Sequence, residues 1–287
     1  MLVPFTSKQP PTEYYKTTFT DNSFEVRSFI NNHNFVDCIF IDITLTDVTF
    51  NKCTFTRCSF KGACLYSTEF YDCTFSGCDM SHGVYVSVIF EDGTMEKMDF
   101  SNMYTMSDVE FKMIEISQSW FLHVQVDGDV VKFAQCKMEF CTFQDYLLKG
   151  FTFDKCTLWK LLFELCDIDK SSFMDSYIKD CRFTNVTFGS MIFDTTPIIN
   201  TTFNLCSFSK DTKLRNITIT DITLSDTVLP LEITVGVMIA PLIALGQSPA
   251  PTATTAYQPR TPQRPAKPNI TSVGMNMAYR FITKGVK

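Results

Sequence analysis

A large apolar residue recurs at every fifth position over most of this 287-residue chain. Parsed in fives from Phe35, the sequence reads FVDCI FIDIT LTDVT FNKCT FTRCS FKGAC LYSTE FYDCT FSGCD, and Phe or Leu opens every block. A period of five matches neither the 3.6 residues of a helical turn nor the two-residue period of a strand. The chain must therefore turn a corner in each unit, and the sequence predicts a coiled repeat array over residues 35–229.

The register of the large residues shifts at three places, within residues 101–106, 127–133 and 209–214. Between these places the spacing of five is kept without exception. We interpret the first two shifts as bulges or loops that present a binding surface, whereas the sequence assigns no role to the third.

A second periodic position lies two residues before each large one and holds small side chains. Eleven of the twelve cysteines occupy it, and Cys64 is the exception. Random placement would spread them evenly over the five phases, so cysteine is predicted to be a compact core filler in the form of a buried free thiol. The eleven are Cys38, Cys53, Cys58, Cys73, Cys78, Cys136, Cys141, Cys156, Cys166, Cys181 and Cys206.

The pattern of a large apolar residue preceded two places earlier by a small one resembles that of the pentapeptide-repeat family. The resemblance implies an all-β fold, a right-handed quadrilateral β-helix of about ten coils followed by an extended C-terminal tail. Stacking at ~4.8 Å per coil would give a rod roughly 50 Å long. This chain departs from the family's usual pattern by placing Phe at the centre and Cys where Ala is common. Core positions expected from the register include Phe40, Phe55, Phe75, Phe153, Phe173, Phe193, Cys58, Cys78 and Cys156.

Residues 1–34 are predicted to be an N-terminal cap or arm. Phe19, Phe24 and Phe29 keep the spacing of five in a different phase, which suits an irregular first coil. Arg27 would then fall on an inward position, so a capping strand is an equal alternative.

Three segments follow the array. Residues 230–246 are apolar but broken by Glu232 and Pro241 and are too short for a bilayer span. They suit a C-terminal cap, with a partner-binding or self-association strand and membrane contact as the alternatives. Residues 247–269 hold six prolines and no acidic residue, as in an extended linker. Residues 270–287 suit a basic docking segment. Predicted partner contacts from the last two segments are Arg260, Arg264, Lys267, Tyr279, Arg280 and Phe281.

Charge divides along the chain. Residues 35–229 carry 27 Asp and Glu against 16 Lys and Arg, a net charge of −11, whereas residues 230–287 carry one Glu against six Lys and Arg, a net charge of +5. An acidic rod with a basic tail suits contacts between neighbours in an assembly, although a solvated acidic face is the simpler interpretation.

The sequence offers little catalytic chemistry. The three histidines lie at unrelated phases, and no nucleophile elbow, Walker loop, HExxH motif or glycine fingerprint is present. Cysteines twenty residues apart, such as Cys38, Cys58 and Cys78, would stack on one face of the coil. A metal site or disulfide bonds are therefore the alternatives to a packing role. A Phe-filled interior leaves an ion no room. We expect no enzymatic activity, no metal and no cofactor.

The function predicted from the sequence is a structural or protein-interaction scaffold within a large assembly, of which a virion is one example. Its partners would be other proteins, with self-association through residues 230–246, no direct nucleic-acid binding and no membrane span. The family resemblance implies an alternative, a DNA-mimicking modulator of DNA gyrase. A third interpretation is a glycosylated extracellular domain, but no secretory signal is recognisable near the N-terminus, which favours a reducing compartment, the cytoplasm or a virion.

Overall fold

The computed structural model describes residues 12–126, 130–145 and 147–228, which form a parallel β-solenoid of about ten coils. Most repeats contribute one strand of two to four residues, and the chain moves to the next of four faces after every repeat. Strands on one face pair in parallel, with Phe35 opposite Phe55 and Phe55 opposite Phe75. The coiling predicted from the period of five and the all-β solenoid implied by the family resemblance are confirmed.

The four faces are numbered in chain order. Face 1 is an eleven-stranded sheet of Glu13–Tyr15, Asn34–Val36, Thr54–Thr56, Thr74–Ser76, Thr94–Glu96, Glu115–Ser117, Lys137–Glu139, Thr157–Trp159, Tyr177–Lys179, Ile198–Ile199 and Ile219–Thr220. Face 2 starts with isolated bridges through Thr18, Ile39, Ser59, Asp79, Asp99 and Trp120. It continues as a six-stranded sheet of Trp120–Leu122, Thr142–Gln144, Leu162–Glu164, Arg182–Thr184, Thr202–Asn204 and Thr223–Ser225.

Face 3 carries a four-stranded sheet followed by a five-stranded one. Their strands are Thr44–Thr46, Cys64–Tyr66, Val84–Val86 and Thr105–Ser107, then Gln125–Val126, Leu147–Lys149, Asp167–Asp169, Thr187–Phe188 and Ser207–Phe208. Face 4 is a ten-stranded sheet of Phe29–Asn31, Thr49–Asn51, Glu69–Tyr71, Ile89–Glu91, Val109–Lys112, Val131–Ala134, Phe151–Asp154, Ser171–Met174, Met191–Asp194 and Lys213–Arg215. Asp21–Ser23 is a short 3-10 helix in the first coil.

The corner of each repeat explains the period of five. Two residues after most large apolar residues the backbone adopts a positive φ, as at Asp37 (52°), Asn102 (55°) and Gly77 (64°). Gly, Asn and Asp tolerate this left-handed conformation best, which accounts for their recurrence at that phase. One inward small residue, a three-residue strand and one corner residue thus complete each unit.

The interior is filled by the two periodic positions. The ring of Phe55 stacks on Phe35 and on Phe75, each pair with centroids 4.8 Å apart. All nine core positions named from the sequence are at most 2% exposed. Eleven cysteines are buried, Cys64 is half-buried, and all twelve are free thiols in the structure.

The first coil begins earlier than the predicted boundary at residue 35. The strand Glu13–Tyr15 already pairs with Asn34–Val36, and Tyr14 stacks on Phe35. Phe29 points outward and is 44% exposed, whereas Ile30 is buried and pairs with Phe50. One extra residue in this repeat moves Arg27 to an outward corner, so the objection to a coil disappears.

The three C-terminal segments predicted from the sequence lie outside the described residues. The same holds for the six predicted partner contacts between Arg260 and Phe281. They remain predictions.

We expect acid to loosen the first coil. His33 is buried in the small inward position before Phe35, where its Nδ1 accepts a hydrogen bond from the Thr12 N–H at 2.9 Å. Burial lowers the pKa of His33 below its ordinary value. The unfolded chain therefore binds the proton at higher pH than the folded chain. Stability is complete above the ordinary pKa of about 6.5 and falls as the pH drops through that value.

Hydrogen exchange of residues 13–31, corrected for intrinsic rates and measured at neutral and mildly acidic pH, checks this expectation. Protection of the first coil should fall in acid, while protection of residues 151–204 serves as the internal control. Equal loss in both regions, or an unchanged response in the His33→Gln variant, would assign the effect to other groups.

Candidate protein-interaction surface

The thiols of the interior are placed for packing. Cys58 Sγ lies 3.3 Å from the carbonyl oxygen of Phe35, and Cys78 Sγ lies 3.3 Å from that of Phe55, one coil before in each case. Burial raises the pKa of Cys141 to about 12 and that of Cys181 to about 11, so these thiols are protonated at neutral pH. Among the described residues, no group of three or more His, Cys, Asp or Glu is arranged to hold a metal ion.

Outward side chains of neighbouring coils form ladders. On face 4, Lys112 pairs with Glu91, and Lys132 Nζ lies 3.1 Å from Glu110 Oε1. This part of face 4 consequently alternates in charge rather than presenting a continuous acidic stripe.

Both tryptophans of the chain lie outside the core, near the edge between faces 1 and 2. Trp120 begins a strand of face 2 and is 43% exposed, and Phe140, in the next coil, is 47% exposed at the corner. Trp159 ends a strand of face 1, with its ring centroid 5.4 Å from that of Phe140. Lys160 Nζ lies 4.4 Å from the Trp159 centroid and 5.0 Å from the Phe140 centroid. These four residues are called the aromatic corner.

The Trp159 ring is held in place by a hydrogen-bond network. Its Nε1–H donates to Asp180 Oδ2 at 2.7 Å, and Asn200 Nδ2 donates to Asp180 Oδ1 at 2.7 Å. These two hydrogen bonds lower the pKa of Asp180, and the bond from Trp159 has the larger effect. The carboxylate is thus charged at neutral pH, and the indole is oriented before any partner arrives.

Phe140 occupies a backbone conformation that suits other residue types. Its φ is 55°, at the corner phase where Asp, Asn, Lys and Gly recur. A bulky residue there costs roughly 1–2 kcal/mol, and such strain is concentrated at functional sites. Leu165 and Leu205 share this conformation and are also exposed. The sequence signal for these positions is a large apolar residue two places after an inward one, at the corner of the repeat. The periodicity of the inward residues does not reveal it.

A shallow groove on face 1 of about 260 Å³ lies beside the aromatic corner. Lys137 at its end forms an ion pair with Glu139, Nζ to Oε1 2.9 Å. Glu139 is the strand partner of Trp159, so the groove and the corner form one continuous surface. The groove is lined by Thr74–Ser76, Thr94–Glu96, Glu115–Ser117, Lys137 and Glu139.

The surroundings of this surface are acidic. Asp79 and Asp99 precede Trp120 on the face 2 ladder, and Glu164 lies on the strand after Thr142–Gln144. Seven carboxylates, compared with five basic residues, stand around the groove and corner. The carboxylates are Asp79, Asp99, Glu96, Glu115, Glu139, Glu164 and Asp180, and the basic residues are Lys97, Lys137, Lys160, Lys179 and Arg182.

Residues 34–81 match the family model of pentapeptide repeats with eight copies. This part of the chain consists of pentapeptide repeats. The strand-and-corner geometry of the matched part continues on all four faces beyond it, which confirms the resemblance drawn from the sequence. No curated protein is significantly similar in sequence.

Solved structures with similar coiling include other pentapeptide-repeat proteins. QnrB1, a plasmid-mediated fluoroquinolone resistance protein, is 16% identical over 73% of this chain and 92% of its own, with a TM-score of 0.39. HetL, involved in heterocyst differentiation regulation in the cyanobacterium Nostoc sp. strain PCC 7120, is 8% identical over 79% of this chain and 92% of its own, with a TM-score of 0.46.

A mannuronic acid specific polysaccharide family 6 lyase from human gut microbiota has a TM-score of 0.48 at 11% identity, over 79% of this chain and 74% of its own. At these values no activity is transferred to the pentapeptide-repeat chain. Among its described residues, no helix is long and apolar enough to cross a membrane.

Proposed function

We propose that this pentapeptide-repeat protein is a non-enzymatic interaction scaffold whose aromatic corner and adjoining groove bind another protein of a larger assembly. The exposed aromatic corner is the observation that carries the proposal. A virion is one assembly in which such a rod would serve, and the twelve free thiols suit a reducing compartment.

Rigidity supports this role. Backbone hydrogen bonds join each coil to the next, as from Thr74 N to the Cys53 carbonyl at 2.9 Å and from Thr94 N to the Cys73 carbonyl at 3.0 Å. The strands carrying Trp120 and Trp159 are members of these ladders. A partner would therefore bind a surface that is already ordered, with a small entropic cost.

The composition of the surface points to a protein partner. Trp, Tyr and Arg dominate the energetics of protein interfaces, and aromatic residues are enriched at their centres. The large residues that line the solenoid interior are Phe, Leu, Ile and Met together with Tyr85, whereas both tryptophans lie outside it. The basic segment 270–287 is proposed as a second attachment, and residues 230–246 as a self-association strand.

A photo-crosslinking amino acid placed at Phe140 is expected to capture a protein partner in the native source. The matched control is Leu205, which has the same left-handed backbone and is also exposed. The identity of the adduct is read by mass spectrometry. Equal capture at both positions, or none at Phe140, would contradict the proposal.

A DNA gyrase supercoiling assay with the full chain distinguishes the scaffold proposal from the alternative of a DNA-mimicking gyrase modulator. We expect no inhibition at micromolar concentration, because Lys112 and Lys132 interrupt the carboxylates of face 4. Inhibition at that concentration would replace the scaffold proposal by DNA mimicry.

A further inference from the structure

We infer that the aromatic corner and the face 1 groove bind the proline-rich segment 247–269 of a second copy of this chain. The inference rests on the proposed scaffold function and names the partner of the same surface. Its support comes from ring chemistry, charge and length.

The ring chemistry suits an extended proline-rich segment. Such segments dock on aromatic surfaces, where proline rings pack on the faces of Trp and Phe with little loss of conformational entropy. The Trp159 N–H is already bonded to Asp180, so the indole offers its face rather than its donor. Lys160 lies over the Trp159 and Phe140 rings, which shows that they accept a cation. An arginine of the segment would displace Lys160 and take its place over these rings.

The charges are complementary. The surface has seven carboxylates and five basic residues, and two of the basic residues, Lys97 and Lys137, are paired with Glu96 and Glu139. The segment has Arg260, Arg264 and Lys267 and no acidic residue. Complementary charge steers association and fixes the direction of the bound segment.

The lengths agree as well. From Arg260 to Lys267 a polyproline helix extends about 22 Å at ~3.1 Å per residue. Face 1 takes four strand steps from Thr94–Glu96 to Tyr177–Lys179, which is about 19 Å at ~4.8 Å per step. The three cations would therefore reach along the length of the carboxylate-bearing surface.

The eighteen residues 229–246 between the solenoid and this segment extend up to roughly 60 Å, enough to reach a neighbouring copy. A contact between two different patches of identical chains leads to head-to-tail assembly. That outcome suits a component of a larger structure.

Mixed-isotope crosslinking of the full chain tests the inference. Equal amounts of light and heavy protein are combined and treated with a lysine-reactive crosslinker. We expect Lys267 to be joined to Lys137 or Lys160, with light–heavy pairs as frequent as same-isotope pairs. The absence of these links, or their occurrence only within one isotope, would overturn the inference.

Sedimentation velocity of full-chain variants supplies the second measurement. Phe140→Asn, which suits the left-handed backbone, should weaken self-association about tenfold or more, whereas the matched Leu205→Asn control should not. Reversal of Arg260, Arg264 and Lys267 to Glu should have the same effect as Phe140→Asn. Unchanged association of that triple variant would overturn the inference. If photo-crosslinking at Phe140 captures a different protein, the scaffold proposal stands and this inference fails.

Discussion

Replacing Phe55 by Ala is expected to destabilise the solenoid by about 3–5 kcal/mol. The Phe55 ring is fully buried and stacks between Phe35 and Phe75, while Phe50 and Phe60 contact it edge-on at 5.4 and 5.5 Å. The deletion removes buried apolar area and leaves a cavity that the surrounding phenylalanines cannot fill without leaving their own stacks.

Urea denaturation gives the free energy of unfolding, and hydrogen exchange locates the loss. Because each coil contacts only its neighbours, the loss of protection should centre on the coils around Phe55. Phe29→Ala is the matched control, since Phe29 is outward and should cost less than about 0.5 kcal/mol. An equal cost at Phe29 would contradict the register of the first coil.

The fold could be predicted from the sequence because the large and the small inward positions both recur every five residues, whichever residues occupy the outward positions. The Phe residues and the cysteines report the same packing constraint from two phases of the period. Their agreement predicts a chain that turns a corner in every unit, and the family resemblance implies that the segments between corners are strands. The sequence also correctly placed eleven cysteines in the interior.

The register of the first coil could not be read in the same way. An extra outward residue between Phe24 and Ile30 leaves the packing of the core unchanged. Strict spacing of five from Phe24 therefore points to Phe29, although Ile30 is the buried residue. Later shifts behave similarly, since Phe111 pairs with Phe90 after 21 residues and with Phe133 after 22. Only strand pairing shows which face absorbs each added residue.

The candidate surface could not be found from periodicity because the outward positions obey no period. Phe140 and Trp159 are nineteen residues apart in the sequence, and their rings come together only when successive coils stack. The corner phase gives the missing signal. Once the left-handed residue of each repeat is known, a Phe at that phase marks a side chain kept for a reason outside the core.

Gly93→Ala is expected to destabilise the protein by about 3 kcal/mol, although alanine is a usual choice for an inward small position. Ala63 occupies such a position without strain. A Cβ on Gly93 would lie 2.2 Å from the carbonyl oxygen of Cys73, which accepts the ladder hydrogen bond from Thr94 N at 3.0 Å. A backbone oxygen cannot move aside without breaking that bond, so packing and pairing are lost together.

Gly77→Ala separates this collision from the general effect of removing glycine. Gly77 has φ +64°, and its added Cβ would meet only Arg57 Cγ at 3.7 Å, so the cost should be the backbone term of about 1 kcal/mol. Urea denaturation of the two variants compares them directly. Equal destabilisation by the two substitutions would contradict the collision with the Cys73 carbonyl as the cause, because Gly77→Ala produces no such collision. A larger loss at Gly93 would show that carbonyl positions between coils, which no sequence period reports, limit what the small inward position accepts.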